Sequence, residues 1–114
     1  MKTGHIEIFS EDPKASIPFY EMLGFTLTSV QADKFVWMDL DGSEILIRPG
    51  SRSFVPTYKD APMAMVLYCS DIKAMRARLV SSETDIHEDE GEGCITIQDP
   101  SGHWLQIVDV SSHQ

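Results

Sequence analysis

The sequence is poor in cationic residues, with 9 Lys and Arg against 18 Asp and Glu and a formal net charge of −9. Nucleic acids and anionic membranes bind positively charged surfaces, so this imbalance argues against both as partners. An acidic surface is compatible with a cationic ligand, although its commonest role is to keep a protein soluble. The charge balance therefore favours a small molecule over a polyanion.

Long apolar runs are also absent, since none approaches the ~20 residues that a membrane-spanning helix needs. The first residues lead directly into strand-like sequence without an apolar signal segment, and we expect a cytoplasmic protein. The two cysteines, Cys69 and Cys94, form no C-x-x-C pair and are expected to be free thiols. No Gly-rich phosphate loop and no Ser-His-Asp or Cys-His arrangement is recognisable.

What is present is a pattern of alternating strands and two helices in a chain of 114 residues, enough for one domain. Asp12-Pro13 and Ser70-Asp71 are typical helix starts and predict helices that end near Leu23 and Val80. Alternating apolar residues predict eight strands, at 4–10, 25–30, 34–40, 43–48, 63–69, near 84–88, 93–98 and 103–109.

The two halves repeat each other. Asp12 matches Asp71 at an offset of 59 residues, whereas the turn residues Asp39 and Gly42 match Asp99 and Gly102 at an offset of 60. Ile45 and Ile47 match Leu105 and Ile107 at the same offset of 60. We therefore predict a single α+β domain of two tandem βαβββ modules, at about 1–49 and 63–114, joined by a linker at 50–62 that is rich in proline.

Two motifs resemble the glyoxalase/bleomycin-resistance/dioxygenase family, also called vicinal oxygen chelate proteins. Phe19-Tyr20-Glu21-Met22-Leu23-Gly24-Phe25 is similar to the family's F-Y-x-x-x-L-G-F helix end, with one residue fewer between Tyr20 and Leu23. Asp99-Pro100-Ser101-Gly102 with Gln106 is similar to its D-P-x-G-x-x-x-E segment. The resemblance covers essentially the whole chain. It implies curved mixed sheets that form a cleft, often completed by a second subunit, so we expect a homodimer. It does not fix an activity.

The resemblance also implies where metal-dependent members hold their ion. The ligand on the first strand of each module lies seven residues before the capping Asp, which gives His5 and Ala64. The ligand on the last strand lies four residues after the turn Gly, which gives Leu46 and Gln106. Two of these four positions cannot coordinate, and transition metals need about three strong donors. We therefore expect no metal cofactor, unless Glu7 or Glu44 restores the site from the same strand faces.

Strand alternation predicts which side chains line the cleft. Ile6, Ile8, Ile45 and Ile47 and their second-module counterparts should face the helices. The cleft-facing set is then His5, Glu7, Glu44, Leu46, Arg48, Ala64, Val66, Tyr68, Thr96, Gln98, Trp104 and Gln106, with Val36 and Met38 added if the offset of 60 from Thr96 and Gln98 holds.

Within that set, Tyr68 and Trp104 could stack on a planar or cationic ligand. Glu7 and Arg48 are either ligand contacts or partners of each other. Phe35 and Trp37 are assigned to the core, and the linker residues Phe54 and Tyr58 to the cleft opening or the dimer contact. The ligand-binding candidates are thus His5, Glu7, Met38, Glu44, Arg48, Tyr68, Thr96, Gln98, Trp104 and Gln106.

Three functions fit this sequence. The favoured one is a metal-independent small-molecule binding protein similar to bleomycin-resistance proteins, with a cationic or aromatic ligand. The second is a metal-dependent lyase, isomerase or dioxygenase of the glyoxalase family, against which Leu46 and Ala64 argue directly. The third is a metal-free enzyme that uses His5 or Glu7 as a general base.

Overall fold

The alternating pattern forms seven strands and two α-helices in a computed structural model that describes residues 1–51, 55–87 and 93–112. The fold is α+β, with one four-stranded and one three-stranded sheet and strand and helix order as expected for tandem βαβββ modules. The chain divides into two compact units, Met1–Ser53 and Phe54–Gln114, and each sheet lies within one unit.

The first unit contains β1 (Ile6–Ser10), α1 (Ile17–Met22), β2 (Thr26–Gln31), β3 (Phe35–Leu40) and β4 (Ser43–Pro49). Its sheet has the strand order β1-β4-β3-β2, in which β1 runs parallel to β4 and the other pairs are antiparallel. The turn between β3 and β4 is Asp41-Gly42, both at positive φ, as the hairpin signal predicts.

The predicted first helix is divided. Residues Pro13–Ser16 form a 3-10 turn, and the α-helix begins only at Ile17. Pro18 explains the division, because its ring clashes with the carbonyl of the residue four positions earlier and it has no N–H to donate. Gly24 follows the helix at a φ of 110°, which ends it at the predicted place.

The second unit contains β5 (Met65–Cys69), α2 (Ile72–Ser81), β6 (Cys94–Gln98) and β7 (Trp104–Asp109). The strand order is β5-β7-β6, with β5 parallel and β6 antiparallel to β7. The strand predicted near 84–88 does not form at 84–87, although the His87 N–H donates to the Thr96 carbonyl at 3.0 Å. Residue 88 lies outside the described residues.

Each sheet has one apolar face that forms the core of its unit. In the first unit this face includes Ile8, Val36, Met38, Ile45 and Ile47, and the buried helix residue is Tyr20. In the second it includes Ile95, Ile97, Leu105 and Ile107, with Leu79 from α2. Burial of each such side chain contributes about 1.5–3 kcal/mol to stability.

Cys69 and Cys94 are free and partly buried. No helix within the described ranges is both long enough and apolar enough to span a bilayer.

Candidate functional site

The face of the first sheet that points away from its core carries charged and aromatic side chains. The registers of β1, β3 and β4 place the following residues together on this surface, which we call the charged face: Glu7, Phe9, Phe35, Trp37, Asp39, Glu44, Leu46 and Arg48. His5 precedes β1 and joins them through its contacts with Glu7 and Trp37. Leu46 is the buried member of the set.

Glu7 is the centre of a hydrogen-bonded cluster on the charged face. Its Oε2 lies 2.9 Å from His5 Nε2, and its Oε1 accepts a hydrogen bond from an Arg48 terminal nitrogen, also at 2.9 Å. The parallel register places Glu7 beside Leu46, two residues from Arg48 on the same face, so the ion pair spans neighbouring strands. Of the two roles left open for Glu7 and Arg48, the structure therefore shows that they are partners of each other.

Aromatic rings surround this cluster. The Arg48 guanidinium carbon lies 5.8 Å from the centre of the Phe9 ring and 5.7 Å from that of Phe35, within range of cation–π attraction. The His5 ring packs edge-on against Trp37 at 4.6 Å, and the Trp37 indole N–H donates to Gln31. The charged groups are thus held in defined positions beside aromatic side chains that are partly exposed.

The cluster changes the acidity of its carboxyl group. The hydrogen bond from His5, and secondly that from Arg48, lowers the pKa of Glu7 below its ordinary value of 4.5. Glu7 is therefore a carboxylate at neutral pH, and a carboxylate with a lowered pKa is a weaker base. Of the two predicted general-base candidates, Glu7 is thus poorly suited to the role.

The prediction that Met38 and Val36 lie on the cleft face is wrong. Met38 pairs with Ile45 and Val36 with Ile47 on the core face, and both are fully buried. The assignment of Phe35 and Trp37 to the core is wrong for the same reason, since these alternate residues are on the charged face and half-buried.

A difference in turn length explains this error. Gln98 pairs with Trp104 across the five residues 99–103, whereas Asp39 pairs with Glu44 across only the four residues 40–43. The offset between the modules is therefore 60 after the turn but 59 before it, so Thr96 corresponds to Trp37. A one-residue shift exchanges the two faces of a strand.

The corresponding face of the second sheet has a different chemistry. The registers of β5, β6 and β7 place the following residues on this surface, which we call the neutral face: Val66, Tyr68, Cys94, Thr96, Gln98, Trp104, Gln106 and Val108. It contains none of the four charged residue types. Ala64 precedes β5 and is exposed.

The two aromatic residues predicted to stack on a ligand differ in accessibility. Tyr68 is 75% exposed, but Trp104 is only 4% exposed. The Tyr58 and His87 rings lie edge-on to Trp104 at 6.2 and 5.0 Å, and its indole N–H donates to the Val55 carbonyl at 2.9 Å. Tyr58 of the predicted linker therefore covers Trp104, while Phe54 lies outside the described residues.

The donor set at the implied metal positions is weak in both units. In the first, His5 is bonded to Glu7, and Leu46 has only carbon atoms in its side chain. In the second, Ala64 cannot coordinate and Gln106 is a neutral amide. No group of three or more His, Cys, Asp or Glu suited to a metal occurs in the described part of the chain. These residues do not fit a transition-metal centre.

The strand order and the two sequence motifs described above are typical of the same superfamily that the sequence comparison identifies. The family model for the Glyoxalase/Bleomycin resistance protein/Dioxygenase superfamily matches residues 2–107. The chain belongs to this superfamily. No curated protein sequence is a significant match.

Solved structures with the same fold come from several bacteria. The fosfomycin resistance protein FosX from Mesorhizobium loti superposes with a TM-score of 0.79 at 10% identity, over 95% of this chain and 90% of that one. A possible glyoxalase from Bacillus cereus gives 0.76 at 17% identity, over 95% and 98%. A lactoylglutathione lyase from Agrobacterium tumefaciens gives 0.69 at 15% identity, over 94% and 93%. At these identities the likeness establishes the fold and not the activity.

Proposed function

We propose that this protein binds a small organic molecule with a planar aromatic group, and that it does so without a metal ion. The observation that carries the proposal is the charged face, where a hydrogen-bonded Glu7 cluster lies beside Phe9, Phe35 and Trp37. Partly exposed aromatic walls with a few fixed polar groups are the usual composition of a small-molecule site.

The hydrogen bonds that Glu7 makes with His5 and Arg48 limit the kinds of ligand that the charged face can bind. Arg48 and His5 already occupy both oxygens of Glu7, so this carboxylate is not free to attract a cation. Phe9 is 42% exposed and Phe35 is half-buried, so part of each ring is open to a ligand beside the Arg48 guanidinium. Glu44 at the edge of the same face is exposed and negatively charged. The aromatic part of the predicted ligand is therefore better supported than its positive charge.

Metal-dependent catalysis is the alternative function, and the donor chemistry argues against it. Recruiting Glu7 as a substitute ligand would break its ion pair with Arg48, whose guanidinium would then lose its compensating charge. Metal-free catalysis by Glu7 is disfavoured because the pKa of this carboxyl is lowered. Binding without turnover remains the function that the arrangement favours.

The metal-free part of the proposal is tested by metal analysis of the purified protein, with thermal melts in chelator and with Ni, Zn, Mn and Fe(II). We expect substoichiometric metal and melting temperatures that neither the chelator nor any of these ions changes. One ion per chain, with a melt that a chelator lowers in the wild type but not in His5→Ala, would contradict the proposal.

The binding part is tested with a matched pair of variants on β1. Phe9 and Ile6 are similarly exposed, at 42% and 45%, but lie on opposite faces of the sheet. For any planar aromatic compound that a thermal-shift screen identifies, Phe9→Ala should weaken binding about fivefold, and Ile6→Ala should leave it unchanged. Equal losses in the two variants would show that the charged face is not the site.

We also propose a homodimer, which the superfamily resemblance suggests. Light scattering at micromolar concentration should then give twice the monomer mass of 12.8 kDa. A purely monomeric species at that concentration would refute the dimer without affecting the binding proposal.

A further inference from the structure

The neutral face holds a buried hydroxyl that the binding proposal has not yet used. Thr96, in the middle of β6, is 0% exposed, and its Oγ1 has no hydrogen-bond partner among the described residues. Most buried polar atoms in folded proteins are hydrogen-bonded, so an unpartnered one calls for an explanation. Thr96 is the residue that corresponds to Trp37 of the charged face.

A second unused polar group lies directly beside Thr96. Gln106 is its cross-strand partner on β7, and such side chains stand about 5 Å apart at Cβ. The Gln106 amide makes no hydrogen bond in the part of the chain that the structure describes, and the residue is half-buried. Gln98, on the same face, differs because its amide donates to the Gly102 carbonyl at 3.0 Å. Thr96 and Gln106 are thus adjacent polar groups with unused hydrogen-bonding capacity.

The surroundings restrict what these two groups can bind. None of the eight residues that define the neutral face is charged, so a charged group buried against them would lose its hydration without an ionic partner from this face. A hydroxyl and a carboxamide can each both donate and accept a hydrogen bond. Their complement is an uncharged group that also does both, with the exposed Val66 and Tyr68 on the same face for its apolar part.

We propose that Thr96 and Gln106 form a hydrogen-bonding subsite for an uncharged polar group, of the carboxamide type, on a small molecule. The inference rests on the proposed function, because it assigns part of the ligand's chemistry to the second unit. It goes beyond that proposal by naming a second surface and by predicting a neutral group there, in contrast to the charged face.

Three probes of nearly the same shape test the charge preference: benzamide, benzoate and benzamidine, which are neutral, anionic and cationic. Amide NMR spectra of the wild-type protein, titrated with each probe, locate binding by the signals that move. We expect benzamide to move signals of β6 and β7, and the two charged probes to bind this surface at least about tenfold more weakly.

Two variants of Thr96 then separate the hydroxyl from the side-chain shape. Thr96→Val removes the hydroxyl, and should weaken benzamide binding about tenfold while the free protein melts at or above the wild-type temperature. Thr96→Ser keeps the hydroxyl and should retain benzamide affinity within about twofold. A lower melting temperature for Thr96→Val would mean that the hydroxyl has an internal partner, which would overturn the inference.

The possible outcomes distinguish this inference from the proposed function. Probe binding confined to the charged face, or unchanged benzamide affinity in Thr96→Val, overturns the subsite and leaves the proposed function standing. Equal or tighter binding of benzoate or benzamidine to the neutral face also overturns the subsite alone. If none of the three probes binds either face at millimolar concentration, both the inference and the aromatic-ligand proposal fail.

Discussion

The two units form the start of their helix in different ways, although the backbone there is almost the same. Asp12 has φ and ψ of −139° and 86°, and Asp71 has −148° and 90°. The next residue is Pro13 in the first unit, which has no N–H, but Ile72 in the second, whose N–H needs an acceptor. Asp109 supplies that acceptor at 3.1 Å, and the corresponding residue of the first unit is Pro49.

The two pairs, Pro13 with Pro49 and Ile72 with Asp109, therefore support nearly the same backbone geometry at the helix start. Where proline removes the donor, no acceptor is needed at the end of the last strand. Where Ile72 provides the N–H donor, the carboxylate of Asp109 stands at the position that Pro49 has in the first unit. Asp109 also accepts a hydrogen bond from the Ser111 N–H, so it joins the helix start to the end of the chain's last strand.

The turns that join the last two strands of each sheet differ in a similar way. In the first unit, the Asp39 carboxylate accepts a single backbone N–H, from Gly42 at 3.2 Å, and the residue is only partly buried. In the second, Asp99 is almost fully buried and accepts from the Ser101 and His103 N–H groups and from the His103 ring. Both turns contain a glycine at positive φ, Gly42 or Gly102, so the difference between them lies in the number of hydrogen bonds that the carboxylate accepts.

The largest expected effect comes from removing the buried turn carboxylate. Asp99→Ala leaves two part-buried backbone N–H groups and the His103 ring without their acceptor, and should lower the free energy of unfolding by about 3 kcal/mol. Asp39→Ala, the matched variant in the first unit, should lower it by less than about 1 kcal/mol. Urea denaturation of both variants measures the difference. Similar losses would contradict the distinction between the two turns.

A smaller effect is expected at the helix start. Asp109→Ala should lower the free energy of unfolding by about 2 kcal/mol, because the Ile72 and Ser111 donors lose a charged acceptor. Asp109→Asn keeps an acceptor oxygen and should lose less.

A proline placed at position 72, as at position 13 of the first unit, tests this comparison further. Ile72→Pro removes the N–H that loses its acceptor in Asp109→Ala, and the extended backbone of Asp71 is compatible with a following proline. In the Asp109→Ala background, Ile72→Pro should therefore cause no further loss, a departure from additivity of about 1 kcal/mol. If the losses in free energy of unfolding of the two single variants add up to the loss of the double variant, Ile72 and Asp109 are not coupled.

The smallest effect concerns the charged face and depends on pH. Because the folded-state pKa of Glu7 is lowered, its stabilisation is present above the unfolded value of 4.5 and is lost as pH falls through the folded value. The melting temperature of the wild type should exceed that of Glu7→Gln at neutral pH, and the two should converge as the pH falls below the lowered pKa of Glu7. A difference that persists at low pH would have to arise from packing.

The sequence predicts most strand positions to within two residues, because alternation and turn signals are local. Alternation also indicates which residues share a face of one strand, as with His5 and Glu7. It does not say which residues lie beside them on the next strand. The contact of Glu7 with Arg48, 41 positions away, depends on the parallel register of β1 and β4. For that reason the sequence left their pairing open.

Three aromatic residues of the charged face were missed for different reasons. Phe9 follows Glu7 by two residues and could have been included by alternation alone. Phe35 and Trp37 required the offset of 59 that the helix starts already indicated, instead of the offset of 60 from the turns. The role of Gln31 as hydrogen-bond partner of Trp37 rests on a bulge in β2 that no local pattern marks.

The division of the aromatic residues also has a spectroscopic consequence. The protein has two tryptophans, Trp37 in the first unit and Trp104 in the second. Replacing Trp37 with Phe leaves one tryptophan that is almost fully buried, and replacing Trp104 with Phe leaves one that is only partly buried. Intrinsic fluorescence of the two single-tryptophan proteins can therefore follow each half of the chain separately, without an added label.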